Sequence, residues 1–393
     1  MRCLFLILLC LALTGCSPAL PSPEPSESAP VPQTTTPAAE PPETTTAPPE
    51  TTAPTVAYDP IGELMGKMSL EDRIGQLFLA RCEDSVALED VANFSLGGFV
   101  LFGPDFRGQT PYSLRSKLTA YQEAASIPLL IAVDEEGGTV TRVSCQRAFR
   151  SARFPSPREA FHTGGMEAAL AYEEEKAALL TGLGINVNLG PVCDITTDPA
   201  AFLYPRSLGQ DALTTAAFIG STVRLYGAYS LGSCLKHFPG YGNNADTHTG
   251  IARDTRPLAE LEEADLIPFA AGMEAGAGAV LVSHTIVDCL DPEHPASLSP
   301  AVHTYLRQSL GFEGVILTDD LVMQAITDRY GTGEAAVLAV LAGNDLLCST
   351  DYRTQYQAVY AAVLDGRIDM DTLNRAVRNV LEWKQQLGLI FVG

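Results

Sequence analysis

From Tyr58 onward the chain alternates short, continuous apolar runs with longer stretches of helical period. Residues 96–102 read Leu-Gly-Gly-Phe-Val-Leu-Phe, and comparable runs lie at 127–133, 185–191, 277–282, 314–317 and 345–348. A first strand is expected over 75–80, and 232–235 reads as the end of another. Between them, helical spacing predicts helices over 61–74 (with a fresh start at Ser69), 111–125, 166–183, 211–229, 260–276, 300–310, 334–341, 354–364 and 370–389. Apolar strands without polar alternation, set between helices, predict a parallel sheet buried on both faces. The roughly 335 residues from Tyr58 on suit a single α/β domain, a (β/α)8 TIM-type barrel. A doubly wound open sheet is the alternative, and it too would place its site at the strand C-termini.

The polar residues fall in a pattern. Asp134, Lys236, His237, His284 and Asp319 each come directly after an apolar run. Barrel strands converge at their C-terminal ends on one mouth, so these residues are expected to meet there. Alternation along a strand sends Asp319 and Asp320 opposite ways, so one of the two should face the centre. Both could instead cap a helix starting near Leu321. Asp134-Glu135-Glu136 before Gly137-Gly138 could hold a divalent metal or sugar hydroxyls. No metal-ligand spacing is visible, and neither a metal nor a cofactor is expected. Arg206 could clamp an anion or hydroxyls, or form a surface ion pair. Lys236 and His237 at a barrel mouth require a ligand or an acid partner. Farther on, Asp246 and His248 stand two apart in a turn-rich loop, on one side of the chain if it is extended. An Asp beside a His favours the imidazolium and fixes its tautomer; a solvated loop is the alternative. A carboxylate nucleophile, a separate acid/base and hydroxyl-binding charges are the components of a retaining glycosidase. Here His248, backed by Asp246, would replace the second carboxylate.

Composition changes the picture at the N-terminus. Met1-Arg2, an apolar stretch over 4–13 and Leu13-Thr14-Gly15-Cys16 form a signal peptide, too short to span a membrane. The segment resembles a bacterial lipoprotein signal, which implies a lipid anchor on Cys16; ordinary secretion is the alternative. Residues 16–57, rich in Pro, Thr, Ser, Ala and Glu, cannot bury a core and should form a disordered tether. The expected organisation is therefore a leader over 1–15, a linker over 16–57 and the barrel over 58–393. A net charge of −22 argues against nucleic acid as a partner. The cysteines at 82, 145, 193, 234, 289 and 348 are widely spaced without a C-x-x-C pair, which suggests neither a zinc site nor a disulfide framework.

Lys236-His237-Phe238-Pro239-Gly240 with Gly242, then Asp246-x-His248, resembles the signature loop of glycoside hydrolase family 3, and within it the β-N-acetylglucosaminidase (NagZ-type) branch. Asp134-Glu135-Glu136-Gly137-Gly138 with Arg142 resembles that branch's Asp-Gln-Glu-Gly-Gly strand end. Arg206-Ser207-Leu208-Gly209 resembles its Arg-Ser-Phe-Gly, and Thr318-Asp319-Asp320-Leu321 with Met323 its nucleophile segment. The likeness runs from about Leu64 to Leu389. It implies a retaining exo-β-N-acetylglucosaminidase that releases terminal GlcNAc from peptidoglycan fragments. Asp319 would be the nucleophile and His248 the acid/base, with Asp246 as its partner. Asp134, Arg206, Lys236, His237 and, more loosely, Arg142 would bind the terminal sugar. Departures are Tyr241 for a common His, Asn243-Asn244 for Asp-Thr, Thr139 for Arg and Glu135 for Gln; they bear on leaving-group preference and rate. The family's β-glucosidases add a second domain with a carboxylate acid, whereas this chain stops after one barrel. The expectation is a monomer held outside the cytoplasm by its anchor. Competing readings are a broader β-glycosidase, a phosphorylase of the same family and a non-catalytic wall-binding lipoprotein.

Overall fold

The computed structural model describes residues 58–196, 198–242 and 250–391. Cys16, the linker over 16–57, Asp246 and His248 lie outside the described residues.

Eight short strands form the centre: β1 Phe78–Arg81, β2 Gly98–Leu101, β3 Leu130–Val133, β4 Val187–Asn188, β5 Gly232–Phe238, β6 Ala279–Val282, β7 Val315–Thr318 and β8 Leu347–Ser349. Each pairs in parallel with its neighbours in chain order. The last strand returns to the first through Leu79 beside Cys348, and a Leu317–Leu346 bridge joins β7 to the approach of β8. The sheet thus curls into a barrel, and the open-sheet alternative falls. The barrel interior holds Leu79, Val100, Ala132, Val187, Leu281 and Leu317, all buried. Its N-terminal end is closed by the final helix, Met370–Gln386, whose Trp383 lies against Gly232 and Gly278. A Cβ on Gly278 would come within 2.0 Å of the indole nitrogen, so only glycine lets the ring in. Beside it Lys384 is fully buried and donates to Gln76 Oε1 at 2.6 Å. No helix among the described residues is long and apolar enough to cross a membrane.

The structure alters three expectations about the elements. The strand read as ending at 235 continues to Phe238, so Lys236 and His237 lie inside β5. Charged residues end an apolar run in sequence, but they can extend a buried strand when carboxylates meet them. The helix expected over 166–183 begins earlier, as Pro157–Gly182, behind a Ser156/Glu159 capping box, and kinks at Gly164–Gly165. A small sheet of Arg253–Asp254, Ile286–Val287 and Asp291–Pro295 has no counterpart in the periodicity, because its strands are too short and polar to show one.

Candidate active site

The strand ends open into a cavity of about 960 Å³ at the C-terminal mouth. Asp134, Arg142, Arg206, Lys236, His237 and Asp319 all line it. Lys236 lies within β5, and a register shift between Leu235 and Phe238 marks the place where both it and His237 reach the mouth. Its Nζ is 2.5 Å from Asp134 Oδ1 and 2.7 Å from Glu136 Oε1. Arg206, on the loop after β4, forks onto Glu136, Nε to Oε2 at 2.9 Å and Nη2 to Oε1 at 2.7 Å. The same Nη2 stands 3.1 Å from His237 Nε2. Asp194 holds the other side of the imidazole, with His237 Nδ1 2.8 Å from its Oδ2, and takes the backbone N–H groups of His237 and Tyr241. Arg206 can only donate, so His237 Nε2 is the acceptor there and Nδ1 carries the proton shared with Asp194.

The Lys236 and Glu136 side chains are 3% and 2% exposed, so their charges survive only by mutual compensation. Burial alone would push the Glu136 carboxyl up; Arg206 and Lys236 outweigh it and hold the group well below the usual carboxylate range. Burial likewise works against the Lys236 ammonium, but Asp134 and Glu136 reverse the effect and raise its pKa. Arg206 is raised in the same way, mainly by Glu136 against the pull of burial. Glu136 is thus the hub of the mouth. The sequence reading counts it as one of three adjacent acids and passes over Asp194. Asp194 stands several residues past the end of β4, whereas Asp134 and Asp319 directly follow their strands, so the rule of a charge directly after an apolar run does not find it.

Several expectations need correction. Asp319 and Asp320 both line the cavity, although strand alternation predicts one. Both lie just past the end of β7, where strict alternation no longer holds. The Asp320 carboxylate is engaged at the wall by Thr350 Oγ1 (2.6 Å), Thr350 N and Val322 N, and burial raises its pKa. Neither caps the next helix, Gln324–Tyr330, which starts behind Met323 without a side-chain cap. His284 does not line the cavity. It is buried beneath it, with Nδ1 2.7 Å from Ser297 Oγ and Nε2 3.0 Å from the Asp320 carbonyl. Glu135 turns away from the mouth and clamps the following loop. It accepts the N–H groups of Arg142 (2.8 Å), Val143 (2.7 Å) and Ser144 (3.3 Å) and the Ser144 hydroxyl. Four donors converging on one side chain suit a carboxylate, which only accepts. The clamp holds the backbone that carries Arg142, whose Nε has no hydrogen-bond partner among the described residues.

Asp246 and His248 belong to the segment that follows Gly242, directly after the cavity-lining Tyr241. Gly242 has φ +55°, and a Cβ there would stand 2.7 Å from the Arg256 guanidinium, which bridges Asp254 and Asp265. Elsewhere Cys82, Asp84 and Asp105 cluster closely enough to suggest a metal site. Arg81 pairs with Asp105 at 2.7 Å and Lys117 with Asp84 at 2.9 Å, and burial pushes the Cys82 thiol up to about 12. These donors are committed to cations or protonated, a poor fit for a metal.

A closed parallel barrel whose mouth gathers carboxylates, two buried cations and a histidine around a sugar-sized cavity has the form of a TIM-barrel glycoside hydrolase. The chain belongs to glycosyl hydrolase family 3, whose N-terminal domain matches residues 69–383. It is 30% identical over 351 residues to the beta-hexosaminidase LpqI of Mycobacterium tuberculosis (strain ATCC 25618 / H37Rv), covering 84% of this chain and 86% of that protein. It is 35% identical over 240 residues to a beta-hexosaminidase of Xylella fastidiosa (strain M12), covering 59% and 69%. Among solved structures, the family 3 beta-N-acetylglucosaminidase of Paenibacillus sp. str. FPU-7 superposes with a TM-score of 0.76 at 31% identity. That match covers 82% of this chain but 63% of the other, so the chain spans less than two thirds of that protein. The structure of M. tuberculosis LpqI gives a TM-score of 0.75 at 29% identity, covering 83% and 96%.

Proposed function

We propose that the protein is a retaining exo-β-N-acetylglucosaminidase acting on terminal β-linked GlcNAc. The observation that carries this reading is the single cavity that Asp319 shares with Asp134, Arg206, Lys236 and His237. Relatives named beta-hexosaminidase across most of the barrel support it. The paired charges of the mouth present fixed donors and acceptors to the sugar hydroxyls. Asp319 attacks the anomeric carbon and forms a glycosyl-enzyme. His248, with Asp246 behind it, protonates the departing oxygen and then takes a proton from the incoming water. Arg142 holds the rim of the same sugar. The signal-like N-terminus supports lipidation at Cys16 and a place outside the cytoplasm, where peptidoglycan fragments are the natural substrate for a monomeric, tethered enzyme.

The test is hydrolysis of aryl β-GlcNAc against aryl β-glucoside, with and without phosphate, followed by NMR for anomeric configuration. Strong preference for GlcNAc, retention, and near-complete loss of turnover in Asp319→Asn are expected. Wild-type rates in Asp319→Asn would overturn the nucleophile assignment. Turnover that requires phosphate would make the enzyme a phosphorylase.

A further inference from the structure

Asp319 stands directly past the end of β7, where the strand ladder no longer fixes its side chain. Its backbone N–H reaches the Val282 carbonyl at the end of β6, 3.3 Å away. Its carboxylate accepts the Asp320 N–H at Oδ1, 2.8 Å away. The direction in which that carboxylate points therefore depends on where residue 320 is held. Asp320 has all of its polar groups engaged. Thr350, just past β8, and Val322 fasten its carboxylate. Its carbonyl takes two donors, the Met323 N–H of a local turn at 3.0 Å and His284 Nε2 at 3.0 Å.

His284 follows β6 by two residues, is fully buried and does not line the cavity. A carbonyl only accepts, so Nε2 carries a proton, and in the neutral ring Nδ1 accepts from the Ser297 hydroxyl at 2.7 Å. Ser297 is itself fixed. It is fully buried, its N–H donates to the Ser283 carbonyl at 2.9 Å, and its own carbonyl accepts from Asn344 Nδ2 at 2.8 Å. The Ser283 N–H in turn donates to the Phe238 carbonyl of β5 at 3.0 Å. The ring is thus anchored by its backbone and its tautomer is set by a hydroxyl, an arrangement that presents one N–H at one place.

We propose that His284 is a positioning residue for the nucleophile. The relay Ser297–His284–Asp320 fixes residue 320, whose N–H holds Asp319 Oδ1 and leaves Oδ2 to meet the anomeric carbon as the leaving-group oxygen departs. The inference rests on the glycosidase reading of the cavity, in which Asp319 attacks. Asp134, Arg206 and Lys236 are held by their own ion pairs with no member of the relay among them. The relay therefore acts on the reacting step and leaves the binding of the sugar alone. A misplacement of about 1 Å in an attacking atom costs on the order of 10²-fold in rate, and loss of one tie among several gives part of that.

The experiment compares the wild-type full chain with His284→Gln, His284→Leu and Ser297→Ala. It reads kcat/KM on an aryl β-GlcNAc together with the inhibition constant of free GlcNAc. Gln supplies an amide N–H for the Asp320 carbonyl, whereas Leu fills the space without a donor. The Met323 N–H still satisfies that carbonyl in both variants. His284→Gln should stay within about threefold of wild type and His284→Leu should fall about thirtyfold, each with the inhibition constant of GlcNAc within about twofold. Ser297→Ala frees the ring to place its proton on Nδ1 and should lower kcat/KM about fivefold, again with GlcNAc inhibition unchanged. This variant decides the question if His284→Leu does not fold. Equal kcat/KM in His284→Gln and His284→Leu would show that the ring only fills space and would overturn the relay. A fall in His284→Leu matched by an equal weakening of GlcNAc inhibition, or wild-type kcat/KM in Ser297→Ala, overturns it as well, while the glycosidase reading stands. A wild-type enzyme that turns over no aryl β-GlcNAc overturns the glycosidase reading instead, and with it the nucleophile that the relay serves.

Discussion

Lys384 offers a direct test of the barrel floor. The side chain is fully buried and its one hydrogen-bond partner among the described residues is the neutral Gln76 amide, 2.6 Å away. Burial without a carboxylate pulls its pKa from the ordinary 10.5 down to about 7. A lysine depressed on folding is held protonated more tightly by the unfolded chain. Stability is therefore lowest below pH 7, where both states carry the proton, and it rises with pH until about 10.5. The full span is about 4–5 kcal/mol, and the part between pH 7 and pH 9 is about 2 kcal/mol. For a domain of this size that is about 3 °C in thermal midpoint. Lys384→Met keeps the length and removes the titration. It strands the Gln76 oxygen at a cost of about 1–3 kcal/mol, but that cost does not change with pH. Thermal melts of both proteins at pH 7 and pH 9 isolate the effect, since every other titrating group is common to the pair. The wild-type midpoint should rise by about 3 °C relative to Lys384→Met on going to pH 9. Parallel shifts in the two proteins would refute the claim that a buried, uncompensated ammonium sits at the floor.

Three further variants test the proposed site. Glu136→Gln leaves Lys236 and Arg206 without their shared anion and should destabilise the protein by about 3–5 kcal/mol, read as a loss of thermal midpoint, with turnover falling alongside. Because the Glu136 carboxyl is depressed on folding, its contribution is complete above about pH 4.3 and is lost as pH falls further, so Glu136→Gln should also flatten the acid limb of stability. Glu135→Gln sets an amide N–H₂ among the donors of Arg142, Val143 and Ser144; a loss of about 1–3 kcal/mol and a rise in KM larger than the fall in kcat are expected from thermal melts and steady-state kinetics. His248→Ala should slow substrates with poor leaving groups far more than activated aryl glycosides, and equal losses on both would count against the acid/base role.

The apolar runs were enough to read the barrel, because strands buried on both faces leave an unbroken signal. The mouth was legible where a charge directly follows such a run, as at Asp134, Lys236, His237 and Asp319. It was misread where position depends on contacts between distant segments. His284 obeys the same rule but lies under the cavity, because Ser297 and the Asp320 carbonyl draw its ring inward. Glu135 and Glu136 are adjacent acids with opposite duties, one clamping a loop and one compensating two cations, and nothing local distinguishes them. Asp194 became visible only through its bonds to His237 and Tyr241, 43 and 47 residues away.

The two ends of the barrel bury a lysine each and treat it in opposite ways. Lys236 is raised above its ordinary pKa by Asp134 and Glu136, whereas Lys384, facing an amide, is lowered to about 7. The surroundings of the ammonium are similarly dry in both, so the carboxylates decide the sign. At the mouth every member of the Glu136–Lys236–Arg206 network is driven further into its charged form. That part of the site holds a constant charge from about pH 5 to pH 9, because none of its groups titrates there. Any limb of a pH–rate profile within that window must come from a group outside the network. Glu136→Gln offers the check: it should lower the height of the profile while every wild-type limb within the window remains, displaced at most by the lost charge. A wild-type limb within the window that vanishes in Glu136→Gln would show that the network itself titrates and that the compensation argued for it is incomplete.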